Sequence, residues 1–167
     1  MAATFGWTQA NGAGQTLTDL GISGNLFNFK KNDSASAADY ADNPIDAGDE
    51  SMEVWIKPKF TGTFNIIDNI QFWRSTNFSP STGLSISWGD GGVSAYATPT
   101  SADSTKATAA VPTSDPGSAN VSIGGNITGS LTASGYTDYI VMQLNTTSAA
   151  AAGDTSLATF TLNYDES

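Results

Sequence analysis

The 167-residue chain is long enough for one domain, and its formal net charge of −10 leaves no basic patch that could bind nucleic acid. It contains no cysteine and no histidine, which excludes a disulfide framework, Ser–His or Cys–His nucleophilic catalysis, and the ordinary zinc and haem sites. Only 13% of the residues are charged, so the polar surface must be built from Ser, Thr, Asn and Gly, which favours strands and turns over helices.

The N-terminal segment, residues 1–14, carries Phe5 and Trp7 in an otherwise polar sequence. Because two aromatic side chains need burial, we expect either a short edge strand or an arm that reaches a neighbouring subunit. The segment lacks the basic and apolar regions of a signal peptide, and no apolar run in the chain approaches a membrane span. We therefore expect a protein made in soluble form inside the cell. Leu26, Phe27 and Phe29 are expected to form a short strand.

Residues 32–50 contain most of the clustered acidic side chains among Ala, Ser, Asn and Pro, a composition typical of a loop. The simpler interpretation is a solvated acidic loop. Closely spaced carboxylates can also bind calcium, although the EF-hand spacing is missing here. The weak candidate ligands for calcium are Asp39, Asp42, Asp46 and Asp49.

We expect the fold to be organised around residues 51–75. The first half alternates, with one face formed by Met52, Val54, Ile56 and Phe60 and the other by Glu53, Trp55, Lys57 and Lys59. This pattern is typical of a strand with one buried and one wet face, and the lysines are suited to keep an edge strand soluble. A turn at residues 61–63 and the denser apolar run at 64–73 predict a hairpin.

The tryptophans of this hairpin have two interpretations. Trp55 and Trp73 would lie close together across the hairpin, and with Trp88 they are candidates for stacking on sugar rings. The simpler interpretation of Trp55 and Trp73 is that they pack in a core or a subunit interface, where aromatic side chains contribute most of the energy.

The remaining chain predicts several short strands separated by turn residues. Strands are expected at 84–88, ended by the Gly-rich turn 89–92, around Val121, Ile123, Ile127 and Leu131, and at 136–144 and 157–164. A Pro/Thr/Ala-rich loop is expected at residues 97–118. These elements predict an all-β fold, a single-domain antiparallel β-sandwich or jelly roll with long surface loops.

No catalytic constellation is visible in the sequence. Paired carboxylates could serve glycoside hydrolysis, but nothing predicts a pair facing each other across a cleft, since the acidic residues lie mostly in loops. We therefore expect no enzyme, no catalytic residue and no cofactor.

Four stretches of the chain carry a resemblance: IDNIQFWRS at Ile67–Ser75, YATPTSADSTKATAAVP at Tyr96–Pro112, GSLTASGYTDYIVMQL at Gly129–Leu144 and FTLNYDES at Phe160–Ser167. From about Trp55 to the end, the chain resembles a family of small, cysteine-free β proteins encoded among the virion structural genes of tailed bacteriophages. The resemblance implies a virion component, foremost a capsid decoration (cement) protein. Such a protein is synthesised in the host cytoplasm, binds the assembled major capsid protein on the outer capsid surface, and is often a trimer.

Within this interpretation the expected contact residues are Phe5 and Trp7 of the N-terminal arm and Lys57 and Lys59. The alternative is a carbohydrate-binding module or a tail- or fibre-associated adhesin, in which Trp55, Trp73 or Trp88 stacks on sugars. Another tail component remains a third possibility.

Overall fold

The computed structural model describes residues 2–22 and 27–167. Within these ranges, nine strands and one short 3₁₀ helix are formed, and every strand pairs with its neighbours in antiparallel fashion. The strands are β1 (Ala3–Asn11), β2 (Thr16–Gly21), β3 (Val54–Gly62), β4 (Ile67–Thr76), β5 (Leu84–Trp88), β6 (Ala109–Ala110), β7 (Gly135–Tyr136), β8 (Ile140–Thr146) and β9 (Thr159–Glu166), and the 3₁₀ helix is Ala37–Tyr40. The predicted all-β, single-domain antiparallel fold is confirmed.

The strands form two sheets of very different width. The larger sheet has the order β2-β1-β3-β8-β5-β6, with the short β7 also paired to β3, and the smaller sheet consists of β4 and β9. Side chains from both sheets meet in one apolar core, so the architecture is sandwich-like. The jelly-roll alternative, which requires eight strands in two Greek keys, is not confirmed by this strand order. No helix in the described part of the chain is long and apolar enough to cross a membrane.

The core between the sheets is built largely from aromatic rings. Phe72 of β4 lies at the centre, with its ring centroid 5.6 Å from that of Phe160, 5.8 Å from that of Trp88 and 6.2 Å from that of Trp7. Phe72 has no exposed surface. Loss of such a ring costs about 3–5 kcal/mol of stability, because the cavity cannot collapse completely.

The predicted hairpin of residues 51–75 is wrong. Its two halves are strands, β3 and β4, but they belong to different sheets. Strand β3 ends at Gly62, whose φ of 96° turns the chain out of the larger sheet. Both strands carry a row of core-facing apolar side chains, and placing the strands in opposite sheets lets these rows bury each other.

The N-terminal segment is neither an arm nor an edge strand. It forms β1, which lies inside the larger sheet between β2 and β3. The reason is the aromatic pair: Trp7 is only 8% exposed, and Phe5 packs against Phe60 and Tyr164. Of the short strand expected next, Leu26 lies outside the described residues, and Phe27 and Phe29 are not in a strand.

The second half of the chain follows the expectations more closely. Strand β5 occupies residues 84–88 as predicted, and β8 and β9 form with core-facing side chains at alternate positions. The strand expected at 136–144 is interrupted at 137–139, where Thr137 donates its N–H to the carbonyl of Pro58 (3.1 Å). The short strands expected around residues 121–131 are reduced to isolated bridges, because the glycines there break the ladder.

Candidate interaction surface

Two of the three tryptophans proposed for sugar stacking are buried. Trp55 has no exposed surface and Trp88 is 1% exposed, so neither can present a ring to a ligand. Trp73 is half-buried on β4, in the other sheet from Trp55, and the two do not meet across a hairpin. The core interpretation of Trp55 is thus confirmed, and Trp88 is buried as well.

Trp55 is buried because the outer face of the larger sheet is covered. Alternation places Trp55 on the face opposite the core, and there it joins a second apolar cluster. The rings of Tyr96 and Tyr139 contact it edge-on, with centroids 5.1 and 5.4 Å from its own. The loop of residues 96–107 closes over this cluster, and we call it the strap.

A buried carboxylate fastens the strap to the sheet. Glu53 is only 5% exposed and accepts hydrogen bonds from the indole Nε1–H of Trp55 (2.9 Å), the N–H of Thr100 (3.3 Å) and the hydroxyl of Ser104 (2.5 Å). Gln143, on β8, accepts the N–H of Ser104 (3.0 Å). All donors around the carboxylate come from the protein itself, so Glu53 acts as a structural latch.

Lys57 and Lys59 do not lie on an edge strand, because β3 is flanked by β1 on one side and by β7 and β8 on the other. The Lys57 ammonium lies over the rings of Tyr136 and Tyr139, 4.4 and 4.5 Å from their centroids. Such cation–π contacts hold the side chain against the sheet. Lys59 forms an ion pair with Asp19 of β2 (3.2 Å), and this hydrogen-bonded contact raises the pKa of Lys59.

Three of the four predicted contact residues lie in one groove. The groove has a volume of about 210 Å³ at the end of β2, where the register of the β1–β2 pair shifts at Trp7. Its lining comes from three strands and the residue after β2: Thr4, Phe5, Gly6, Trp7, Asp19, Gly21, Ile22, Lys59 and Thr61. Ile22 is 66% exposed. A groove this small and open is below the size of typical small-molecule sites and suits a side chain of a protein partner.

The four aspartates proposed as calcium ligands are not gathered into a site. In residues 2–22 and 27–167 no group of three or more acidic side chains converges to hold a metal ion. Asp39 instead accepts the Ser34 hydroxyl (2.7 Å), and hydrogen bonds from serines 34 and 36 lower its pKa. Asp49 forms an ion pair with Lys31 (3.0 Å). The carboxylates of Asp39 and Asp49 therefore help to organise the loop.

A second buried carboxylate, which the sequence did not single out, holds another loop. Asp138 is 8% exposed and accepts the hydroxyl of Ser122 (2.5 Å) and the N–H of Gly125 (2.7 Å). These contacts tie the Gly-rich turn at 124–125 to the segment just before β8. Like Glu53, Asp138 is occupied by donors of its own chain.

Three residues of β9 direct their backbone N–H and C=O groups away from β4. On β4, the N–H and C=O of Phe72 bond to the side-chain amide of Asn120 (2.7 and 2.8 Å), on the side away from β9. Leu162 lies opposite Phe72, so its own N–H and C=O also point away from β4, as do those of Phe160 and Tyr164 by alternation. Within the described part of the chain, nothing bonds to these backbone groups.

Comparison with protein-family models, with curated proteins and with solved structures found no match. What the protein does is therefore inferred from its surfaces and from the resemblance described above.

Proposed function

We propose that the protein is a virion structural component of a tailed bacteriophage, a capsid decoration protein that binds the assembled major capsid protein on the outer surface of the shell. The observation that carries this proposal is the groove at the end of β2. It brings the expected contact residues Phe5, Trp7 and Lys59 together beside the exposed side chain of Ile22.

The character of the surface supports a role in protein–protein contact. Only 13% of the residues are charged, so a partner can be covered with little cost of desolvating ions. The loops are fastened by the Glu53 and Asp138 networks, which presents a partner with a pre-organised surface. A ligand that binds the assembled shell and not free subunits stabilises the shell by mass action.

The groove predicts which substitutions weaken binding. Ile22→Asp places a charge on the apolar rim of the groove, and we expect at least tenfold weaker binding to purified capsids, measured by cosedimentation. Ile127→Asp is the matched control, since Ile127 is also exposed but does not line the groove. If Ile22→Asp bound as tightly as Ile127→Asp, the groove would not be the docking site.

Cryo-electron microscopy of purified particles tests the role itself. Regular copies on the outer capsid lattice are the expected result, and density confined to the tail or fibres, or absence from the particle, would refute it. The carbohydrate-binding alternative now depends on Trp73, and glycan binding abolished by Trp73→Ala would favour it. The trimeric state remains a prediction from the resemblance.

A further inference from the structure

The turn between β1 and β2 contains the dipeptide of this chain that is most prone to deamidation. Asn11 is the last residue of β1 and is followed by Gly12, and no other asparagine in the sequence precedes a glycine. The backbone nitrogen of the residue after an asparagine can attack the side-chain amide carbon, and it is least hindered in glycine, which has no Cβ. The pair Asn11–Gly12 is therefore where deamidation is expected.

The reaction at this pair has two steps. The nitrogen of Gly12 bonds to Cγ of Asn11, the Cγ–Nδ2 bond breaks, and Nδ2 leaves as ammonia with the proton that the Gly12 nitrogen gives up. Water then opens the resulting cyclic imide to aspartate or isoaspartate. The first step requires rotation about the Cα–C bond of Asn11 out of the extended conformation of a strand, so that the two reacting atoms meet.

The geometry of the turn favours glycine at position 12. Its φ of 68° lies in the left-handed region that other residues adopt only with strain, although a Cβ there would meet no neighbouring atom. Replacing Gly12 would remove the reactive pair but would strain the backbone. The reactive pair is thus a consequence of the turn geometry.

One carboxylate holds both nitrogens that take part in the reaction. Asp33 accepts the side-chain Nδ2–H of Asn11 (2.7 Å) on one oxygen and the backbone N–H of Gly12 (2.5 Å) on the other. For Gly12 to attack, its nitrogen has to lose the proton that it donates to Asp33. Loss of that proton would place two negative charges side by side, which is unfavourable.

Gly12 is held on its other side as well. Its carbonyl oxygen accepts the hydroxyl of Tyr96 (2.6 Å) and the N–H of Gln15 (3.1 Å). Asn11 is paired with Thr16 in the ladder between β1 and β2, which keeps its backbone extended. Rotation of Asn11 toward the reactive conformation would therefore have to break several contacts at once.

We propose that Asn11 is a latent deamidation site, which Asp33 keeps unreactive while the loop of residues 32–50 is docked on the turn. Undocking frees the Asn11 amide and the Gly12 N–H together, since both depend on one carboxylate. Deamidation then puts a second carboxylate opposite Asp33, and the repulsion between the two opposes renewed docking. The site thus records the opening of this part of the fold irreversibly. The inference does not depend on the proposed function.

Peptide mapping by mass spectrometry tests the proposal on the full chain aged at neutral pH, with conversion of Asn11 to aspartate and isoaspartate as the measured quantity. Asp33→Ala removes both acceptors, and we expect conversion at least tenfold faster than in the wild type. Asp46→Ala is the matched control, because Asp46 is an exposed aspartate of the same loop, and it should age like the wild type. Ageing well below the Tm of each variant keeps global unfolding out of the comparison.

The wild type alone provides a second measurement, which does not depend on the folding of a variant. Asn11 is expected to convert at least tenfold more slowly in the folded chain than in guanidinium chloride. Equal rates in the two solutions overturn the proposal, and so do equal rates for Asp33→Ala and Asp46→Ala. Slower conversion in Asp33→Ala than in the wild type would also overturn it, because the carboxylate would then take the Gly12 proton and promote the reaction.

Discussion

Removal of the Glu53 carboxylate is expected to release the strap and lower stability substantially. Glu53→Ala leaves the Trp55 indole, the Ser104 hydroxyl and the Thr100 N–H without their acceptor. An unsatisfied buried donor costs about 1–3 kcal/mol. The contact to Thr100 is long, at 3.3 Å, and the hydroxyl can rotate, so the sum is about 3–5 kcal/mol. For a chain of this length, such a loss lowers Tm by roughly 6–20 °C.

The assay combines urea denaturation with hydrogen exchange. Glu53→Ala should accelerate exchange of the strap amides at residues 100–107 more than exchange in the β4–β9 pair, since Glu53 contacts the strap and Trp55 of β3 but no residue of β4 or β9. Glu53→Gln keeps one acceptor oxygen and should lose about 1–2 kcal/mol. Asp154→Asn, at an exposed position, removes the same charge and should change little. Equal stability of Glu53→Ala and Asp154→Asn, with unchanged strap exchange, would refute the latch.

Three further predictions concern single contacts. Burial raises the pKa of Tyr96 from 10.0 to about 12, so the stability that comes from its neutral phenol is lost as pH rises from 10 through 12. An absorbance titration should show a late phenolate that Tyr96→Phe removes. Asn120→Ala leaves the N–H and C=O of Phe72 without partners and should cost about 2–4 kcal/mol in urea denaturation. Gly129→Ala would place Cβ against the carbonyl oxygen of Ile123, well inside van der Waals contact, and should destabilise the fold by about 3 kcal/mol in the same assay.

Each of these predictions has its own control or contrary result. A Tyr96→Phe variant that retained the late phenolate would assign that titration to another tyrosine. Asn120→Asp keeps the acceptor and loses the donor, so it should be less stable at neutral pH and recover as the carboxyl is protonated. Gly14→Ala enters open space without positive φ and should be nearly neutral. If it cost as much as Gly129→Ala, the close contact would not be the cause.

Side-chain alternation predicted most strands correctly because it reports which face of a strand is buried. Ile86 and Trp88, like Ile140 and Met142, face the core as their spacing indicates. Alternation does not indicate which strands are neighbours in a sheet. A turn at Gly62 is compatible with a hairpin and with a crossing to the opposite sheet, and only the complementary core rows of β3 and β4 select the crossing.

The surface was harder to predict, because alternation within a strand does not show which distant segments of the chain cover its faces. Trp55 was correctly assigned to the face opposite Ile56, but that face is covered by Tyr96 and Tyr139, which lie more than 40 residues away in sequence. Glu53 and Trp55 share a face at i and i+2, a spacing that could have indicated a carboxylate–indole bond.

The groove is positioned by contacts between the two sheets. Ala3, at the start of β1, donates its N–H to the Glu166 carboxylate (2.8 Å), and the ring centroid of Phe5 in the groove lies 6.3 Å from that of Tyr164 on β9. These contacts join β1 of the larger sheet to β9 of the smaller sheet beside the groove. The side chains that line the groove are therefore held by the packing of both sheets, and strand alternation within β1 alone could not have indicated this.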